Sequence, residues 1–141
     1  MTVDQTIFAS DPNRPGNCVS ACAATHLGLP LDAVPHFIEQ VPGSTVDGSE
    51  GADGWWWLLI GFMAGAAGLW PTELDSIDDG HPDEVLWVAG PSPRGVLHQV
   101  PYRNGALWHD PHPSRDGVLE VREVIAWRPA THDHTPTKET R

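Results

Sequence analysis

Basic residues are scarce in this chain. Eight lysines and arginines stand against 19 aspartates and glutamates, a formal charge of −11 over 141 residues. With no basic stripe to neutralise phosphates, a nucleic-acid partner is disfavoured. Cysteine is scarcer still: the two, Cys18 and Cys22, stand one helical turn apart. With no secretory context they do not read as a disulfide framework, and two thiolates are too few for a thiolate zinc site. Long apolar runs are also missing. The longest apolar stretch, Gly54 to Trp70, is about 17 residues, the lower edge of membrane-spanning length, and has no basic flank to anchor it. It reads as a core helix, with the Gly and Ala residues at 64–68 packing closely on a sheet. Met1-Thr2-Val3-Asp4 is acidic and lacks the apolar segment of a signal peptide. These absences describe a soluble, cytoplasmic protein with no membrane partner, and no internal repeat is visible.

What is present divides into two halves. Residues 1–128 read as one domain, and residues 129–141, rich in Thr, His and Pro, as a polar, disordered tail. The first half is helical. Asn17 is positioned as N-cap of a helix with Val19, Cys22, Ala23 and Leu27 on its apolar face, and Gly28 stops it. A second helix is expected from Leu29 to Ile38, capped by Asp32, with Val34, Phe37 and Ile38 inward. Residues 42–54 and 71–84 read as loops, the former a candidate lid. The second half reads as four strands: Glu84–Ala89, Gly95–Arg103, Ala106–His109 and Leu119–Arg128. Asn104-Gly105 is a strong hairpin signal between the middle two. Helices followed by an antiparallel sheet are the α+β pattern.

The chemistry begins at Cys18. A thiol becomes a strong nucleophile only as thiolate, and a helix N-terminus beside an imidazolium favours that form. Cys18 opens its helix; Cys22, a turn deeper, reads as buried and inert. His98 is placed on a strand to act as base and then as acid. Asp110 ends the next strand. A turn centred on Asn104-Gly105 brings it back to within one residue of facing His98, where it can orient the imidazole. Gln5, upstream, is the candidate side-chain donor of an oxyanion hole, beside the Cys18 backbone N–H, with Asn17 an alternative donor. Trp108 and Asn17 are candidate substrate contacts.

The run Asn17-Cys18-Val19-Ser20-Ala21-Cys22, followed by His98-Gln99-Val100 and Asp110-Pro111, resembles the papain-like cysteine peptidases. It is most similar to the small peptidases that cut double-glycine leaders in bacteriocin exporters. The chain has Val19 where those peptidases have Gly, and its Gln lies further from the cysteine. It also resembles small bacterial and phage proteins carrying Gly-Asn-Cys (16–18), Leu-Gly-Leu-Pro (27–30), Val-Pro-His-Phe (34–37) and His-Asp-Pro-His-Pro-Ser (109–114). The resemblance spans most of residues 5–115. It implies a papain-like fold, N-terminal helices on a short antiparallel sheet, with thiol hydrolysis or acyl transfer at an amide or isopeptide bond of a peptide or protein substrate.

Competing readings use the same residues. A lone cysteine on an apolar helix face is ordinarily a small buried hydrophobe, and Asp110-Pro111 is also ordinary turn chemistry. His109, Asp110 and His112 are spaced on a loop in a way that seldom converges on a metal. No metal or cofactor is expected. The rival of another class is a catalytically silent papain-like module that binds a host or bacterial protein. A low-pKa thiol separates the two.

Overall fold

The computed structural model describes residues 2–8, 16–40, 52–95 and 97–130. Two helices, α1 (Cys18–Leu27) and α2 (Ala52–Ala67), precede five strands. The strands are β1 (Leu69–Leu74), β2 (Val85–Pro91), β3 (Leu97–Arg103), β4 (Ala106–Leu107) and β5 (Glu123–Pro129). They form one open antiparallel sheet in the order β1-β5-β2-β3-β4. The protein is thus α+β, with two N-terminal helices packed on a five-stranded sheet. Residues 42–51 of the loop expected as a lid lie outside the described residues and 52–54 open α2 rather than ending a loop; the tail beyond Ala130 is outside the described residues too.

Helix α1 is small and uncharged along nearly its whole length, and every residue from Cys18 to Thr25 is buried. A helix buried on all sides reads as apolar all round rather than as a stripe. Gly28 ends it in the left-handed conformation (φ 71°), its N–H bonded to the Ala24 carbonyl. Asn17 is the N-cap of the helix, its carbonyl accepting the first helical bond from Ala21 N–H at 3.0 Å, but its side chain makes no capping bond. Its amide oxygen accepts instead from the backbone N–H groups of Thr6 and Ile7, both at 3.0 Å.

The second helix expected over 29–38 is only a 3-10 turn, Leu31–Ala33. Pro35 explains this: the residue before a proline is pushed out of the helical region, and Val34 is extended at φ −120°, ψ 128°. Val34, Phe37 and Ile38 still reach the core. In α2, Trp55, Leu59, Ile60 and Met63 are buried. The Gly and Ala residues at its C-terminal end do not pack on the sheet. Gly65 to Gly68 are exposed, and a Cβ at Gly61 or Gly65 would meet nothing within 4 Å.

Strand β1 occupies part of the segment expected as loop. Its Pro71 and Glu73 disguise it, and both are tolerated because β1 is an edge strand whose ladder is supplied by β5. The hairpin turn falls at Asn104 (φ 54°) and Gly105 (φ 82°), with Arg103 facing Ala106, the two positive angles that a type I′ turn requires. The ladder stops after Leu107, and the N–H groups of Trp108 and His109 both turn to the Pro101 carbonyl.

The segment before β5 is then laid across β2. Leu119 N–H donates to Pro91 O and Arg122 N–H to Ala89 O, at 2.7 and 2.8 Å. Gly90 permits this crossing, since a Cβ there would lie 1.8 Å from the Glu120 carbonyl oxygen.

Candidate active site

Three elements converge at one end of α1: its first residue, the start of β3, and the loop that leaves β4. Cys18 is the first residue of the helix and 4 % exposed. The N–H groups of a first helical turn have no partner within the helix and carry its positive end. His98 is buried, as is Asp110. His98 Nε2 lies 2.6 Å from Asp110 Oδ1. The other ring nitrogen, Nδ1, is not taken by Asp110, and the imidazole lies near enough to Cys18 for each group to shift the other's pKa.

The Asp110 carboxylate is fixed on all sides. Its Oδ1 also accepts from the His112 backbone N–H at 2.9 Å, and its Oδ2 from Gly117 N–H at 2.7 Å. Burial alone would raise its pKa; the bonds from His98, His112 and Gly117 outweigh that and hold it well below the usual carboxylate range. Asp110 reaches His98 from a loop, not across a ladder pair, so the expected juxtaposition arises without the expected strand register.

Burial works against a charged imidazole at His98, but Asp110 and Cys18 more than offset it and push the pKa up to about 9. At Cys18, burial pushes the thiol up. The hydrogen bond and charge of His98 and a backbone bond from Gln99 outweigh this, and the thiol sits below its ordinary range. The two shifts have opposite signs and one cause: thiolate and imidazolium stabilise each other. Cys22 has no such partner. Burial, with the Cys18 and Asp110 charges, drives its pKa well up, and its S–H donates to the Gln99 carbonyl at 3.3 Å.

The remaining candidates are placed differently. Gln5 is buried, its backbone N–H on Pro111 O. Its Nε2 donates to the Ile7 carbonyl at 2.9 Å, and its Oε1 is buried without a partner. The Asn17 amide is spent on Thr6 and Ile7, and its Nδ2 donates to Thr6 Oγ1. Trp108 packs under the Arg103 guanidinium, 5.0 Å from its ring centre. His109 turns away from His98 to Asp4, at 2.8 Å, where Arg115 joins it.

Gln99, His112 and Gly117 belong to this site and were not singled out as its parts from sequence. The Gln99 peptide contacts both sulfurs. The His112 ring stands edge-on to His98, with ring centres 6.2 Å apart, and Phe8 packs against its other side. Asp116-Gly117 is a visible turn dipeptide, but nothing in the sequence says which carboxylate its N–H meets. The three residues His109, Asp110 and His112 face three different partners, and among the described residues no cluster of three or more His, Cys, Asp or Glu side chains is arranged to hold a metal ion. No described helix is long and apolar enough to cross a membrane.

No family model, no curated protein and no solved structure matches this chain.

Proposed function

We propose that the chain is a papain-like thiol hydrolase or acyl transferase acting on an amide or isopeptide bond of a peptide or protein. The observation that carries this reading is the 2.6 Å bond that fixes His98 on Asp110, with the imidazole coupled to Cys18: the thiol pKa is lowered and the imidazole raised to about 9. Such a pair is a nucleophile and an acid ready together. The Cys18 thiolate would attack the carbonyl carbon. The developing oxyanion would be met by the Cys18 backbone N–H at the helix end. His98 would give its Nδ1 proton to the amine as the C–N bond breaks, leaving a thioester on Cys18. It would then take a proton from water or from an acceptor amine, which attacks the thioester and frees the thiolate. Asp110 holds the ring so that Nδ1 faces the sulfur throughout. Gln5 is the second oxyanion donor in this reading. Its amide nitrogen carries two protons, and only one is bonded to Ile7.

The test is labelling by a peptide vinyl sulfone together with turnover of a panel of fluorogenic peptide amides. Labelling and turnover are expected from the wild-type chain, neither from Cys18→Ala, and strongly reduced rates from His98→Ala. Cys18 reacting at the rate of an ordinary thiol, unchanged by His98→Ala, would sink the proposal. One observation favours the silent binding module: Cys18 is 4 % exposed and Gln5 is engaged with Ile7. In that case Cys18 reacts no faster than an ordinary buried thiol and no peptide amide is turned over.

A further inference from the structure

The outward side of α2 carries an apolar face that nothing in the described chain covers. Trp57 is 61 % exposed and Leu58 42 %. Gly61 and Gly65 follow on the same side, with open space where their Cβ atoms would be. At about 100° per residue, positions 54, 57, 58, 61, 64 and 65 of α2 fall within roughly a third of the helix circumference. The order along this stripe is symmetric about Gly61 and complementary in size: Trp57 and Leu58 on one side of it, Ala64 and Gly65 on the other.

We propose that this face is a homodimer interface, in which α2 packs antiparallel on α2 of a second copy about a two-fold axis at Gly61. That arrangement sets Trp57 over the partner's Gly65 and Leu58 over the partner's Ala64, a large residue over a small one at every step. It is the self-complementarity that a two-fold interface demands. A parallel pairing would set Trp57 on Trp57 and leave the glycines facing empty space. Charge selects the same occupant. No residue from Gly54 to Leu69 is charged, in a molecule of net charge −11, so this is a surface on which two such copies can meet without opposing carboxylates. Among the described residues no segment covers it, and the rest of the sequence has little apolar material to offer. Residues 9–15, 41–51 and 131–141 are polar or Gly/Pro-rich in sequence, with no aromatic residue and only two valines among them.

Two short helices give an interface at the small end of specific associations, so half-association is expected on the order of 10 µM. Sedimentation equilibrium between about 1 and 200 µM should show the mass rising from 15.3 kDa toward twice that value. Gly65→Leu is the decisive variant. A Cβ there meets nothing within 4 Å among the described residues and leucine is the better helix former, so the Tm should hold or rise while association falls at least tenfold. Trp57→Ala should also remain monomeric. Gly61→Cys should cross-link to itself under mild oxidation, and Gly54→Cys should not. A wild-type chain that is monomeric at 200 µM, or a Gly65→Leu variant that associates as tightly or more tightly, would overturn the proposal. So would a chain that stays monomeric in solution but co-sediments with phosphatidylcholine vesicles, which would make this face a membrane-surface helix instead.

Discussion

Replacing Asp110 with Asn changes one atom and one charge, and the structure says what each is worth. The carboxylate accepts three bonds, from His98 Nε2 at 2.6 Å, His112 N–H at 2.9 Å and Gly117 N–H at 2.7 Å. An amide supplies one oxygen. If that oxygen stays with His98 and His112, the new NH2 faces the Gly117 N–H, donor against donor. If it flips to Gly117, the NH2 donates to His98 Nε2 and drives the proton to Nδ1, the nitrogen that should accept from Cys18. Either way a buried donor is orphaned, which costs about 1–3 kcal/mol of stability. In both cases the imidazolium also loses its counter-charge. An opposite charge this close shifts a pKa by about 1–3 units, so the His98 pKa should fall from about 9 and the thiolate fraction with it. One unit lost from the pair is a factor of ten in thiolate at neutral pH. Iodoacetamide alkylation of Cys18, followed by mass spectrometry at pH 7 and well below the variant's Tm, should therefore slow about tenfold or more. His109→Ala is the control. Its ring bonds Asp4 on the surface, and its loss should leave the rate within about twofold. If His109→Ala proves the more damaging change, or Asp110→Asn leaves the rate untouched, the assignment of Asp110 as the orienting group is wrong.

Cys22 should alkylate far more slowly than Cys18 in the native chain, because burial raises its pKa and its S–H is bonded to Gln99; equal rates by peptide mapping would contradict an activated Cys18. Alkylation and amide turnover should part company in alkali. The thiolate persists as pH rises, but turnover needs the imidazolium and should decline as pH passes about 9, where His98 loses its proton. In acid the sign follows Asp110. Its folded pKa is depressed, so the stability it contributes is present above its ordinary 3.8 and is lost as pH falls through the lowered value. Asp110→Asn should flatten that part of a Tm-against-pH curve. Gly90→Ala places a Cβ 1.8 Å from the Glu120 carbonyl oxygen. It should lower stability by about 1–3 kcal/mol in urea titration, as overpacking against backbone does, and slow Cys18 alkylation by loosening Gly117 on Asp110.

The sequence by itself determined the features that depend on neighbours along the chain. Gly28 ends α1 because only a residue free of a Cβ takes φ 71° without strain. Asn104-Gly105 fixes the hairpin because both residues must turn to positive φ. Cys18, opening its helix, and His98, on its strand, were likewise local readings. Tertiary structure decided what depends on a distant partner. Strand β1, with its Pro71 and Glu73, is a strand only because β5 offers it a ladder. The 29–38 segment keeps its inward residues but not its helix, since Pro35 forbids the turn while burial still selects Val34, Phe37 and Ile38. Asn17 takes the N-cap position expected from its sequence, but its side chain fastens residues 6 and 7, because those N–H groups arrive from elsewhere. Asp110 could be named from the hairpin, and its His112 donor is only two residues away, but its other two donors are His98 on the sheet and Gly117, on the loop that goes on to cross at Gly90. That closure is long-range, and no local pattern of residues encodes it.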